Sequence, residues 1–245
     1  MPQPRSVRLE VCVDTVEGIA ACQGRADRIE LCAALAVGGL TPGAGLLAAV
    51  RSSTVPVHAM IRPVPGGFDY DEALVSACEA DIAAARQAGC AGVVIGVTGN
   101  GALDREALAR LVRAAGELEV TLHRAIDLVE DAPAAVTVAV DLGISTILTS
   151  GGAIRAVDGL PRIRAMVEAA GGRLDIMAGG GITAENAAMV IEKTGVGAVH
   201  ASCSTVDRPG RAVAELGFGA HMPRRTDAGM IERLRRAISA EGRAG

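Results

Sequence analysis

The chain has 245 residues, 50% of them hydrophobic, and a formal net charge of -4. Its only aromatic residues are Phe68, Tyr70 and Phe218, which excludes the aromatic stacking surfaces that bind single-stranded nucleic acids. The net negative charge also argues against an extended phosphate-binding face. We therefore expect no nucleic-acid partner.

Among the 24 basic residues, only Lys193 is a lysine, and it lies at the end of a helical pattern where a positive charge favours the helix dipole. Catalysis through a Schiff base or pyridoxal lysine is therefore not expected. The sequence contains no signal-peptide pattern and no apolar run of about 18 residues. Its six cysteines show no CxxC spacing, so we expect a cytoplasmic protein with reduced thiols and no membrane partner.

Short apolar segments alternate with amphipathic segments along the whole chain. The predicted strands cover residues 7–13, 27–32, 56–62, 92–97, 120–125, 145–150, 174–179 and 198–202. The predicted helices cover residues 15–23, 43–52, 71–88, 104–115, 132–142, 155–170, 184–193 and 226–240. This order predicts an α/β TIM barrel, (β/α)8, as a single domain of residues 1–245, with the barrel at 7–202 and a C-terminal loop and helix at 203–240. A doubly wound sheet is the alternative fold.

Polar side chains are concentrated where the predicted strands end, which is the catalytic end of a TIM barrel. They are Glu10, Glu30, Arg62, His123, Arg124, Asp127 and His200. In the functional interpretation, Glu10, Glu30 and His123 act as acids, bases or metal ligands, Asp127 orients His123, and Arg62 holds an anion. In the structural alternative, Glu10 and Glu30 form a ring of salt bridges with Arg62 or Arg124.

Cys12 and Cys32 each follow a glutamate by two residues on adjacent predicted strands. Because side chains alternate along a strand, each cysteine faces the same side as its glutamate, near the barrel mouth. Soft thiolates select Cu(I), and His58 or Met60 on the third strand could add a ligand. The alternative is that both thiols simply pack as small hydrophobic side chains.

Glycine-rich segments follow the sixth and seventh predicted strands. Ser150 and Gly151 follow the sixth, and Gly180 and Gly181 follow the seventh. Backbone N–H groups at these places grip phosphate in many barrels, although glycines are also ordinary turn residues. After the third strand, Phe68 and Tyr70 are expected to cover the mouth or to contact a neighbouring subunit.

Six segments, in order, resemble the CutC family of copper homeostasis proteins. They are LEVCVDTVE (9–17), DRIELCAALAVGGLTP (27–42), MIRPVPGGFDYDE (60–72), TLHRAIDL (121–128), ILTSGG (147–152) and IMAGGGI (176–182). The resemblance implies a TIM barrel, a cytoplasmic location, self-association into a dimer or tetramer, and a role in copper handling. The chain departs from the family pattern at Ala34, where an Asn is common, and at Ala201 in the eighth strand.

The residues and the resemblance leave three functions open. The first is a copper protein that binds Cu(I) through Cys12 and Cys32. The second is an enzyme acting on a small anionic or phosphorylated substrate by acid–base or metal-assisted chemistry, with Arg62, Arg124, Ser150, Gly151, Gly180, Gly181 and His200 as substrate-binding residues. The third is a scaffold whose charged ring is fully paired internally.

Overall fold

The computed structural model describes residues 6–207, 215–216 and 224–241. Eight parallel strands pair in chain order and close into a barrel, which confirms the TIM-barrel prediction and excludes the doubly wound sheet. The strands are β1 (Arg8–Val13), β2 (Arg28–Leu31), β3 (Val57–Met60), β4 (Gly92–Ile95), β5 (Glu119–Leu122), β6 (Thr146–Thr149), β7 (Asp175–Ala178) and β8 (Ala198–Ala201). Each lies inside its predicted segment or within one residue of it.

Helices alternate with the strands. They are α1 (Val16–Cys22), α2 (Ala44–Ala48), α3 (Glu72–Ala88), α4 (Arg105–Ala115), α5 (Ala132–Asp141), α6 (Leu160–Ala170), α7 (Ala187–Thr194) and α8 (Ala228–Glu241). The predicted helix at 155–170 starts later than expected because Pro161, which lacks an N–H donor, occupies the first turn of α6. The predicted helix at 43–52 divides into α2 and a 3-10 turn at Ala49–Ser52.

The main hydrophobic core lies between the barrel and its helices. Leu9, Val11 and Val13 of β1 belong to this core, so the alternating residues Glu10 and Cys12 face the barrel interior. Two further buried apolar clusters are small: Cys32, Met60 and Val94 form one, and Leu148, Met177 and Ala198 form the other. The interior therefore has room for charged side chains.

The strand register determines which interior side chains meet. Glu10 of β1 lies opposite His200 of β8, and it also lies opposite Arg28 of β2. Cys12 lies opposite Glu30 of β2. These pairs bring an acidic, a basic and a thiol side chain to the same sector of the barrel.

A short antiparallel ribbon borders the carboxyl end of the barrel. Ser204–Val206 pairs with Arg224–Thr226, and the Arg224 guanidinium donates to Ser204 Oγ at 2.9 Å. Asp71 accepts from the Leu74 N–H at 2.9 Å and so caps α3. Within the described ranges, no helix is both long enough and apolar enough to cross a membrane.

Candidate functional site

A cavity of about 510 Å³ opens at the carboxyl end of the barrel. Of the predicted site residues, its walls include Cys12, Glu30, Arg62, His123, Arg124, Gly180, Gly181 and His200. Ser204, Arg224 and Thr226 of the short ribbon also line it, and no sequence motif pointed to them. The remaining predicted residues do not line it: Glu10, Cys32, Asp127, Ser150 and Gly151.

Cys12, Glu30 and His200 form a cluster of potential metal ligands. One ligand atom from each residue lies within 4.8 Å of the others, and His200 Nε2 is 3.8 Å from Glu30 Oε2. Both Cys12 and Glu30 are buried, and the Glu30 Oε1 atom has no hydrogen-bond partner among the described residues. The cluster thus offers a thiol, an imidazole and a carboxylate to one point of the cavity wall.

Glu10 orients the His200 ring through a hydrogen bond to its Nδ1 atom. His200 Nδ1 lies 2.7 Å from Glu10 Oε1, and Arg28 Nε donates to Glu10 Oε2. Burial alone would raise the pKa of Glu10, but the His200 hydrogen bond and the Arg28 charge outweigh it and lower the pKa to about 2. Burial alone would lower the pKa of His200, but the neighbouring Cys12 and Glu30 side chains raise it well above its ordinary value.

Arg28 takes the place of the salt-bridge partners expected for Glu10, which were Arg62 and Arg124. The strand register puts Arg28 directly opposite Glu10. The sequence signal that could have identified Arg28 is its position two residues before Glu30, which places both side chains on one face of β2.

Cys32 lies next to the ligand cluster but outside it. Its thiol donates to Glu30 Oε2 at 3.4 Å, and its side chain packs with Met60 and Val94. Burial, together with the charge of Glu30, raises the pKa of Cys32 well above its ordinary value. The structure therefore brings Cys12 together with Glu30 and His200 rather than with Cys32.

His58, considered as an additional ligand, faces the opposite end of the barrel. Its Nε2 lies 3.5 Å from Glu119 Oε2, and Arg28 NH1 lies 3.8 Å from the same oxygen. Burial and the Arg28 charge lower the pKa of His58 to about 4. A line of polar groups thus runs from His200 at the mouth through Glu10 and Arg28 to the exposed carboxylate of Glu119.

His123 lines the cavity on the side of β4 and β5. The backbone N–H of Ala125 donates to His123 Nδ1 at 3.1 Å, so the ring caps a 3-10 turn at Arg124–Leu128. His123 Nε2 is buried and has no hydrogen-bond partner among the described residues. Burial and the charge of Arg62 lower the pKa of His123 to about 3.

Asp127 does not orient His123 as expected but accepts several hydrogen bonds from the loop after β6. Thr149 Oγ1 donates to its carboxylate at 2.5 Å, and the N–H groups of Ser150 and Gly152 donate at 3.0 Å each. Arg124 Nε donates at 2.8 Å. Burial would raise the pKa of Asp127, but these donors lower it. The donors expected for an external anion in this loop are thus already engaged.

Arg62 is buried, and most of its donors are also engaged. NH1 donates to the carbonyls of Val37 and Gly39 at 3.0 Å each, and NH2 donates to that of Gly66 at 2.9 Å. No carboxylate lies within 4.0 Å of the guanidinium in the described part of the chain. Arg62 therefore ties two mouth loops together and keeps a positive charge in the cavity wall.

The two aromatic residues expected at the mouth differ in environment. The centroids of the Phe68 and His123 rings are 4.7 Å apart. The Arg62 Cζ atom lies 5.1 Å from the centroid of the Phe68 ring. Tyr70 instead belongs to the hydrophobic core. Phe68 covers part of the cavity, and Tyr70 anchors the loop that carries it.

The loop after β7 keeps its backbone donors available. Gly180 and Gly181 have φ angles of 98° and 72°, conformations that favour glycine. Neither of their N–H groups donates a hydrogen bond to any described residue.

The chain departs from the family pattern at two positions. Ala201 lies in the cavity wall, and Ala34 adopts a left-handed conformation with φ 50°.

The chain is similar to proteins of one family over most of its length. A family model described as the CutC family matches residues 7–205. A CutC family protein of Sinorhizobium medicae is 46% identical over 237 residues, which cover 96% of this chain and 97% of the relative. One of Caulobacter vibrioides is 50% identical over 198 residues, covering 80% and 81% of the two chains.

Comparison with solved structures finds a protein of the same family and confirms the barrel fold. A CutC structure from Streptococcus agalactiae, whose description proposes a role in copper homeostasis, has a TM-score of 0.76 and 32% identity. The match covers 80% of this chain and 98% of that one. Thiamine phosphate pyrophosphorylase from Pyrococcus furiosus has a TM-score of 0.60 and 18% identity, with 97% and 98% coverage. At that identity, the likeness shows the barrel fold alone.

Proposed function

The chain belongs to the CutC family, and from this membership we propose that it serves copper homeostasis by binding Cu(I) at the barrel mouth. The observation that carries the proposal is the cluster of Cys12, Glu30 and His200, whose ligand atoms lie within 4.8 Å of one another. Thiolate and imidazole groups are suitable donors for copper. A cytoplasmic location and a dimeric or tetrameric assembly, implied by the resemblance, belong to the same proposal.

The surroundings of the cluster fit a bound cation. The unpartnered Glu30 Oε1 is a buried acceptor, and a cation at the cluster would offset the cost of burying it. The hydrogen bond between His200 Nδ1 and Glu10 Oε1 fixes the ring so that Nε2 faces the cluster. Metal-binding histidines are commonly held in this way by a carboxylate. Cys32, 3.4 Å from Glu30 Oε2, supplies a second thiol at the edge of the cluster.

Anaerobic titration of the metal-free protein with Cu(I), in competition with a chromophoric chelator, tests this proposal. We expect one tightly bound Cu(I) per chain, and a loss of about tenfold or more in affinity for Cys12→Ser and for His200→Gln. Cys78→Ser is the matched control, because Cys78 is buried in α3 away from the cavity. Unchanged affinity in both site variants would contradict the proposal.

A parallel titration with Zn(II) distinguishes the metals, since cysteine, histidine and glutamate are also zinc ligands. The proposal predicts that Cu(I) displaces Zn(II) from the protein at equal concentrations. Retention of Zn(II) would contradict the choice of copper. The Cys32→Ser variant shows whether the second thiol contributes: the expected effect is smaller than that of Cys12→Ser, because Cys32 lies outside the cluster.

We infer a second candidate function, an enzyme acting on a small anionic substrate, from the cavity itself. Its volume of about 510 Å³ lies in the range of small-molecule sites. Arg62, Arg124 and His123 line it at the catalytic end of the barrel. Thermal-shift measurements with a panel of carboxylic acids and phosphate esters test this candidate. Lack of stabilisation by every compound would contradict it.

A further inference from the structure

The His123 ring is held as a neutral hydrogen-bond donor in the cavity wall. A backbone N–H can only donate, so the bond from Ala125 N–H requires an unprotonated Nδ1. The proton of the neutral ring is therefore on Nε2. The neighbouring positive charge of Arg62 and the burial of the ring both oppose a second proton, which agrees with the lowered pKa of His123.

The Nε2–H group has no acceptor among the described residues, although the ring is only 3% exposed. Leaving a buried donor unpaired costs about 1–3 kcal/mol. The ring cannot easily turn to find an acceptor, because it packs against the Gly96 backbone on one face and Phe68 contacts it at 4.7 Å. Phe68 is half-buried on a mouth loop and lies between the ring and part of the cavity mouth.

Arg62 adds an independent observation. Its guanidinium is buried and donates to backbone carbonyls, which do not neutralise its charge, and no carboxylate among the described residues lies within 4.0 Å of it. A buried charge without a counter-ion is costly. Arg62 and His123 line the same cavity, so an anion placed there would offset the charge of Arg62 and accept the hydrogen of His123.

We propose that this side of the cavity binds an oxyanion, the carboxylate or phosphate group of a small molecule, through His123 Nε2–H and the charge of Arg62. The inference deepens the second candidate function by naming its ligand class and the donor atom, and it rests on that candidate. It does not require a metal at Cys12. The neutral imidazole polarises the bound group as a donor and does not remove a proton from it.

The test uses metal-free protein in the presence of EDTA, titrated separately with oxalate and with inorganic phosphate by calorimetry. The carboxylate and phosphate arms show which source of the oxyanion the site prefers. We expect saturable binding in at least one arm and a weakening of about tenfold or more in His123→Asn. Asn keeps a side-chain acceptor for the Ala125 N–H and lacks the Nε2 donor. Arg155→Gln, at an exposed residue outside the cavity wall, should bind like the unaltered protein.

A second measurement does not depend on any variant. In protein labelled with 15N-histidine, the Nε2–H resonance of His123 should move downfield on addition of the bound oxyanion. Absence of binding in both arms, an unmoved resonance, or equal affinity in His123→Asn would overturn the inference. Loss of oxyanion binding in metal-free Cys12→Ser would place the ligand at the thiol cluster and overturn it as well. If oxalate or phosphate binds to the metal-free protein but Cu(I) does not bind, the inference stands and the copper proposal fails.

Discussion

Replacing Gly96 by alanine tests how firmly the barrel holds the His123 ring. A Cβ atom at Gly96, which follows β4, would overlap His123 Cε1 and Nδ1 and would lie 2.9 Å from Nε2. Overpacking of a dense interior costs about 1–3 kcal/mol. If the ring moves aside, the bond from Ala125 N–H to Nδ1 is also lost, at about 1 kcal/mol. We therefore expect a loss of about 2–4 kcal/mol in the free energy of unfolding.

For a chain of this length, such a loss lowers the melting temperature by about 5–15 °C, which calorimetry or circular dichroism can measure. The matched control is Gly45→Ala. Gly45 lies in α2, and a Cβ atom there meets nothing within 4 Å, so alanine should stabilise the protein by up to about 1 kcal/mol. The reasoning is refuted if Gly96→Ala melts at or above the temperature of the unaltered protein.

Two further predictions concern stability. Glu10→Gln leaves Arg28 buried without its counter-ion and should cost about 3–5 kcal/mol in urea denaturation, whereas Glu119→Gln, at a side chain that is 58% exposed, should cost less than about 1 kcal/mol. Folding lowers the pKa of Glu10 from its ordinary value of 4.5 to about 2. The stability that ionised Glu10 contributes is therefore fully present above pH 4.5 and is lost as the pH falls from 4.5 to about 2. A Glu10→Gln protein that unfolds in acid as readily as the unaltered protein would refute this assignment. Ala34→Asn should raise the urea midpoint by an amount equivalent to about 1 kcal/mol, because asparagine adopts the left-handed conformation found there more readily than alanine; an unchanged or lower midpoint would count against that explanation.

The strands and helices could be predicted because hydrophobic periodicity is a local property. The alternation of Leu9, Val11 and Val13 with Glu10 and Cys12 is visible in six residues of sequence and sets one face of β1 toward the helices. The placement of polar residues at the mouth follows from the barrel alone, because parallel strands all end on one side.

The pairing of the site residues could not be predicted, because it depends on geometry between segments. Glu10 pairs with Arg28 through the register of β1 and β2, which the sequence does not specify. Asp127 reaches Ser150 through the path of two loops, so its closeness to His123 in sequence was misleading. The cap formed by His123 depends on a 3-10 turn that has no clear hydrophobic pattern.

The line of groups from His200 through Glu10 and Arg28 to Glu119 couples the two ends of the barrel electrostatically. Water and salt screen charges poorly where side chains are buried, so the local dielectric constant along this line is far below that of solvent. A positive charge gained at the mouth therefore alters the field at the Glu119 carboxylate on the opposite face. Conversely, removal of the Glu119 charge, as in Glu119→Gln, changes the electrostatic potential at His200 through the interior of the barrel.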